Sequence, residues 1–272
     1  MEEVAERAFF FRARMTTLDA LLLGLIQGFT ELLPISSSGH LALAEQFFAV
    51  RVPQGLLGFD ILLHAGSLLA LLLFYAKTWV RVLRSLFVGD RAGMQMLLLL
   101  LIATIPAGIV GVYFGEALDS LRSPSSLALG FLISAAVLLI AERMPGKRPF
   151  TSLRIGEVLF IGIAQACALL PSVSRSGMTI AAGRSLRLQR KDAVDFGFLM
   201  AVPAIAGATL FAAASLLNGA MALPSLAASS AGFLASFGAS ILAIFALRAF
   251  VQRFSTAWFA FYLIPLAALL WM

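Results

Sequence analysis

The sequence predicts an all-α integral membrane protein built as an inverted-topology repeat. Three observations lead there. Of its 272 residues 61% are hydrophobic and 12% charged, with a mean hydropathy of +0.97. Soluble domains carry about 45–50% apolar and about 25% charged residues, so a soluble enzyme, a disordered chain and a nucleic-acid-binding domain are excluded. Second, apolar runs of about 20 residues, the length that spans a bilayer, recur along the chain. Third, two of these runs are interrupted by similar Pro-Ser-Gly segments. The net charge of +6 comes from basic clusters between apolar runs, a pattern that reports orientation in a membrane. No nucleic-acid partner is expected.

Residues 1–16 mix acidic and basic side chains and carry no A-x-A-like cleavage site. They read as an N-terminal tail. Residues 17–272 read as one membrane domain, with a first repeat over 17–148 and an inverted second repeat over 149–272. The run at 18–48 is broken by LLPISSSGH (32–40), and the run at 154–184 by LLPSVSRSG (169–177). Proline ends a helix and a Ser/Gly cluster supplies irregular backbone. Such backbone survives at membrane depth only inside protein or beside a water-filled cavity. Each run is therefore a re-entrant helix–loop–helix. Six further stretches, 57–76, 94–114, 126–142, 194–217, 228–250 and 255–272, are expected to span.

Lys77, Arg81, Arg84 and Arg91 fill one loop, and Arg143, Lys147, Arg148 and Arg154 a second. Arg184, Arg187, Arg190 and Lys191 fill a third, and Arg248 and Arg253 mark a fourth. The positive-inside rule places these in the cytoplasm. The first hairpin then opens outward and the second inward. Gly24-x-x-Gln27 matches Gly162-x-x-Gln165, and Ser36-x-Ser38-Gly39 matches Ser174-x-Ser176-Gly177, all 138 residues apart. Inverted repeats with broken helices occur in transporters, so fold alone leaves a lipid-phosphate flippase open beside an enzyme. Cys167, the one cysteine, cannot form an intrachain disulfide.

Ionisable side chains at membrane depth are costly and mark functional cavities. Gln27 and Glu31 lie four apart before the Pro34 break, and His40 follows Ser36-Ser37-Ser38-Gly39. Arg175 sits at the second turn, flanked by Ser174, Ser176, Gly177 and Thr179. If the hairpin tips meet, one pocket gathers a carboxylate, an imidazole, a guanidinium and several hydroxyls. Turn amides near Gly39 and Gly177 would favour an anion. The set fits phosphate chemistry: Arg forks onto phosphate oxygens, a carboxylate can share a divalent metal with pyrophosphate, and histidine can act as base, acid or nucleophile. Asp60 and His64, four apart on the next span, stand open between a supporting and a structural role. Glu45, Glu157 and Asp195 read as solvated residues near the interfaces.

At these residues the chain resembles the BacA family of undecaprenyl pyrophosphate phosphatases. The motifs are QGFTELLPISSSGH (27–40) and PSVSRSGMT (171–179), with FDILLHAGSLLA (59–70) and DFGFLMAVPAIAGAT (195–209) around them. The likeness runs from about residue 18 to the end. It implies that Gln27 and Glu31 form a metal-linked motif and that Ser37 and His40 supply the nucleophile or acid/base group. Arg175, Ser174 and Thr179, with Ser36, Ser176 and Gly177 beside them, would hold the diphosphate of undecaprenyl diphosphate. The resemblance also implies Mg²⁺ or Ca²⁺ dependence, a place in the bacterial cytoplasmic membrane with the site facing outward, and a role in cell-wall lipid recycling and bacitracin resistance. Oligomeric state is not fixed by the sequence, and a homodimer is left open. Two positions depart from the family: Gln27 removes a carboxylate, and Ser172 replaces a usual Gly, which strains the loop if that residue needs a positive φ. Type-2 phosphatidic acid phosphatases also use a Ser-Gly-His triplet. Their later motifs are missing here, with Ala181 where a His and Ala141 where a Lys would stand.

Overall fold

A computed structural model describes residues 15–47, 57–121, 123–218 and 223–271. Among these the regular structure is helical, with one 3₁₀ turn at Phe150–Ser152, one isolated bridge between Arg148 and Leu188, and no strand ladder. The first broken run gives α1 (Thr17–Leu32) and α2 (Ser37–Phe47). Then come α3 (Leu57–Phe74), α4 (Ala76–Val88), α5 (Arg91–Asp119) and α6 (Pro124–Glu142). The second broken run gives α7 (Ile155–Cys167) and α8 (Arg175–Ser185), followed by α9 (Arg190–Leu217), α10 (Leu226–Arg253) and α11 (Trp258–Leu269).

Both hairpins form where the prolines and serines require them. α1 ends at Leu32, before Pro34, and Ser174 caps α8 by accepting from Gly177 N at 3.1 Å. Packing follows the repeat. α1 of the first half lies on α10 of the second, and α7 of the second lies on α5 of the first. α3 packs on α9 and α6 on α11, each helix against its own counterpart.

Small residues allow the closest of these approaches. Gly24 and Gly28 sit against the backbone carbonyls of Gly232 and Ser236 on α10, the small-xxx-small spacing that lets membrane helices approach. Ser240 Oγ lies 3.2 Å from Gly28 O and 2.9 Å from Ser67 Oγ, and Ser236 Oγ donates to Leu63 O at 2.7 Å. These bonds staple α1, α3 and α10 together. On the mirrored contact Gly162 meets the backbone of Ala103 on α5.

The structure corrects the sequence reading in four places. Residues 77–93 are not simply a basic loop: most of them form α4, which leaves α3 at Tyr75 with a bend of 79°. Its charges fall at helical spacing, so low hydropathy alone hides it. α5, α6, α9 and α10 are long and apolar enough to cross a bilayer, and the bent pair α3–α4 makes a fifth span if counted as one. α11 has 12 residues, about 18 Å at 1.5 Å per residue, against a hydrocarbon core of about 30 Å. Asp195 is not solvated. It is buried, takes the Arg248 fork at 2.7 and 3.1 Å, and accepts from Tyr75 Oη at 2.6 Å. That triad ties the α3–α4 bend to α9 and α10. Finally, the tail read over 1–16 runs two residues into the fold: Met15 is buried, and Thr16 caps α1 in a reciprocal pair with Asp19 at 3.1 Å each way. Residues 1–14 lie outside the described part.

The close approach of α1 to α10 is testable. Gly28→Leu forces side-chain carbon into the Ser236 carbonyl, and overpacking of this kind costs about 1–3 kcal/mol. The thermal midpoint of the detergent-solubilised protein should fall by several degrees. Gly108→Leu, where a side chain meets open space, should leave it unchanged.

Candidate functional site

The two tips meet. Ser176 Oγ at the start of α8 donates to the Leu33 carbonyl in the first tip at 2.8 Å. The second tip is also held to α6, where Ser174 N donates to Ser134 Oγ at 2.8 Å. The Pro171–Ser172 backbone lies so close to Gly130 that a side chain there would collide with it. Both tips therefore rest on packed protein, as irregular backbone at this depth requires.

Between them lies Glu31, its side chain 3% exposed. Arg175, the first residue of α8, pairs with its Oε1. On Oε2, Ser37 Oγ donates at 2.5 Å and Gln27 Nε2 at 3.2 Å, while His64 Nε2 stands 3.6 Å away. His64 is oriented by its own helix, with Nδ1 2.7 Å from the Asp60 carbonyl. α1 thus supplies the carboxylate and amide, α2 the hydroxyl, α3 an imidazole and α8 the guanidinium. A carboxylate at this depth is tolerated because donors and a counter-charge surround it.

The N-termini of α2 and α8 both lie at the tips, so the amide ends of two helices adjoin the Glu31–Arg175 pair. A helix N-terminus carries a partial positive charge and free N–H groups that favour anions. Ser36 and Ser174 are the residues just before these helices. Ser36 Oγ lies 3.4 Å from Gly39 N, and Ser174 Oγ accepts from Gly177 N at 3.1 Å. Thr179 is buried one turn into α8 and donates to Ser176 O at 3.2 Å. These side chains frame the tips, whereas Gln27, Glu31, Ser37 and Arg175 meet directly.

His40 is not brought to this cluster. Its Nδ1 lies 2.7 Å from Ser36 O, its Nε2 lies 2.8 Å from Tyr262 Oη, and its ring packs edge-on against Phe131. It borders a surface groove of about 460 Å³ lined by Leu25, Ile26, Phe29, Leu43 and Leu266. The imidazole facing Glu31 is that of His64. In sequence its spacing from Asp60 leaves it between a supporting and a structural role, and the Glu31 partner that places it beside the cluster arrives from α1 only on folding.

Among the described residues no group of three or more His, Cys, Asp or Glu side chains converges as a metal cage. One feature does suit a hard cation. Gln27 Oε1 is a buried amide oxygen without a hydrogen-bond partner, on the side chain that donates to Glu31. An amide oxygen and a carboxylate oxygen are ligands for Mg²⁺ or Ca²⁺, and Mg²⁺ typically takes one or two protein oxygens and fills its shell from substrate phosphates and water. The residues present fit such an ion.

Comparison with known proteins gives the family of the chain. The sequence model of the family described as "Bacitracin resistance protein BacA" matches residues 20–269. The undecaprenyl-diphosphatase of Rubrobacter xylanophilus is 37% identical, covering 93% of this chain and 96% of its own length. The protein of the same name from Thermodesulfovibrio yellowstonii is 42% identical over 70% of this chain and 72% of its own. That of Methanobrevibacter smithii is 35% identical over 91% and 94%.

The second tip carries a measurable strain. Ser172 is fully buried at φ +58°, and its Oγ has no hydrogen-bond partner. A non-Gly residue in the left-handed region costs roughly 1–2 kcal/mol, and an unpaired buried hydroxyl adds to it. Ser172→Gly should therefore raise the thermal midpoint by a few degrees and leave the Arg175–Glu31 contact in place. A drop in midpoint would show that the hydroxyl makes a needed bond.

Proposed function

The chain belongs to the BacA family, and from that premise we propose that it is a membrane undecaprenyl-diphosphatase. It hydrolyses undecaprenyl diphosphate to undecaprenyl phosphate and inorganic phosphate. The basic loops and the outward-opening first hairpin favour work at the outer face of the bacterial cytoplasmic membrane, where it recycles the cell-wall carrier lipid. One observation carries the reading: Ser37 donates its hydroxyl hydrogen to Glu31 at 2.5 Å while Arg175 holds the other carboxylate oxygen. A hydroxyl bonded to a carboxylate, beside a guanidinium fork and two helix N-termini, is a nucleophile with a base facing an anion site.

The prenyl tail lies in lipid along the groove of Leu25, Phe29, Leu43 and Leu266, with His40 and Tyr262 at its edge. The diphosphate sits between the tips. Its oxygens compete with Glu31 for the Arg175 fork, and the N-terminal amides of α2 and α8 receive the rest. Once Arg175 turns to phosphate, Glu31 is a stronger base for the Ser37 proton. Ser37 Oγ attacks the terminal phosphorus and Glu31 takes its proton. The bond to the bridging oxygen breaks, and undecaprenyl phosphate leaves with the electron pair. Water then attacks the phosphoserine phosphorus, and the departing Ser37 oxygen recovers its proton from Glu31. A divalent cation, Mg²⁺ or Ca²⁺, would be held by Glu31 and Gln27 Oε1, and when bound it neutralises charge on the phosphate oxygens. His64 orients Glu31, and Ser174, Ser176 and Thr179 keep the second tip in shape around Arg175.

Phosphate release from a C15 or C55 prenyl diphosphate by the purified protein tests this. Release should stop with EDTA. Ser37→Ala and Glu31→Gln should each lose about 10²–10⁴-fold in turnover, and Arg175→Ala about 10²–10³-fold, without loss of insertion. Near-normal turnover in Ser37→Ala, with the full loss appearing in His40→Ala, would transfer the nucleophile's role to His40. No release under any metal condition from well-folded protein would move the assignment to lipid transport.

A further inference from the structure

The basic helix α4 is not used by the chemistry above. Lys77, Arg81 and Arg84 are exposed and recur at helical spacing, so they form one stripe. None of the three makes an ion pair among the described residues. A second stripe of Val80, Leu83 and Phe87 is also exposed, Phe87 at 87%. The face that does pack, through Val82 and Ser85, rests on α5. Beside the basic stripe is a shallow depression of about 340 Å³ lined by Lys77, Val80, Arg81, Arg84, Val88 and Asp90. Asp90 is the carboxylate facing it, and its Oδ1 is engaged by Ala92 N at 3.1 Å.

Three cations without an ion pair among the described residues are not explained by folding, and a phenylalanine exposed over most of its surface is not explained by water. A membrane surface accounts for both. A helix with one basic and one apolar stripe lies in the interface, with its apolar side among acyl chains and its basic side among headgroups. The 79° bend after Tyr75 turns α4 sharply away from the axis of α3, and Asp195 with Arg248 anchors that bend. Charge complementarity selects the occupant, since Lys and Arg at a membrane surface bind phosphate-bearing anionic lipids. We propose that α4 is an interfacial helix whose Lys77–Arg81–Arg84 depression binds the phosphate headgroup of an anionic phospholipid.

Binding of short-chain phosphatidylglycerol to the full-length detergent-solubilised protein tests it, with short-chain phosphatidylcholine and inorganic phosphate run in parallel. Phosphatidylglycerol should bind at least tenfold more tightly than phosphatidylcholine. The variant with Lys77→Gln, Arg81→Gln and Arg84→Gln should lose that preference, whereas the charge-keeping variant with Lys77→Arg, Arg81→Lys and Arg84→Lys should retain it. Phe87→Ser should weaken both lipids equally. Equal binding of the two lipids by the parent would overturn the proposal. So would a preference that survives the three glutamines, or inorganic phosphate binding as tightly as phosphatidylglycerol. An unchanged thermal midpoint in the glutamine variant shows that its fold is intact, and the charge-keeping variant decides the matter if it is not.

Discussion

The Glu31–Arg175 pair is the constraint around which the two halves are organised. A carboxylate taken out of water without a counter-charge would have to give up its ionisation, and at membrane depth the counter-charge must come from protein. Here it comes from the other repeat. Pairing them fixes where both hairpin tips lie, because Glu31 stands at the end of α1 and Arg175 at the start of α8. The remaining bonds serve the same junction: Ser176 reaches the Leu33 carbonyl, and Ser134 receives the Ser174 amide. Breaking a buried pair by removing one partner typically costs about 3–5 kcal/mol, so the contact that organises the site also holds the repeats together.

The pair could not form unless the hairpins were held deep in the bundle. α1 gets there because Gly24 and Gly28 let its backbone touch that of α10, and Ser236 and Ser240 supply hydrogen bonds across the contact. In lipid there is little hydrophobic force between helices, so close packing and such bonds carry the association. The same reasoning explains the strained residues. Ser36 and Ser172, at φ +72° and +58°, lie in the two tips, where the chain must reverse direction within a few residues. The surrounding contacts at Gly39 and Gly130 over-determine that geometry.

Much of this was legible in the sequence because the signals were local. The broken runs, the 138-residue repeat and the likeness to the BacA family all rest on short strings such as PISSSGH and PSVSRSG. Grouping Glu31, Ser37 and Arg175 required only that the tips meet. What escaped was set by contacts between distant segments. The sequence points to His40 because it adjoins the serine turn, but one helical turn carries its ring toward Tyr262 and Phe131. His64, open in sequence between a supporting and a structural role, is placed beside Glu31 only when α3 packs next to α1. Asp195 sits near a span boundary and reads as solvated until α10 delivers Arg248 and the α3–α4 bend delivers Tyr75. Hydropathy likewise passes over α4, because a helix that lies along an interface is neither apolar enough to span nor polar enough to be plain loop.

The repeat also explains why buried polar side chains concentrate at one junction. Two inverted halves related by a pseudo-two-fold axis bring equivalent positions together, so an unmodified pair would offer like groups to each other. Here the equivalents have diverged. Ser37 corresponds to Arg175, Glu31 to Leu169 and His40 to Met178. One half contributes a hydroxyl bonded to a carboxylate, and the other contributes the guanidinium that pairs with that carboxylate. Gln27 keeps its counterpart in Gln165, yet the two are not alike in use. Gln27 donates to Glu31, while both polar atoms of Gln165 are buried without a partner, and Leu169, four residues on and just past the end of α7, offers none. A binding site that must face both sides in turn gains from keeping its two halves equivalent. A site that attacks phosphorus gains from making them different, because nucleophile and electrophile clamp must approach from opposite sides of the same group. If Ser37 attacks phosphorus as proposed, the divergence at positions 31, 37, 169 and 175 is of the second kind.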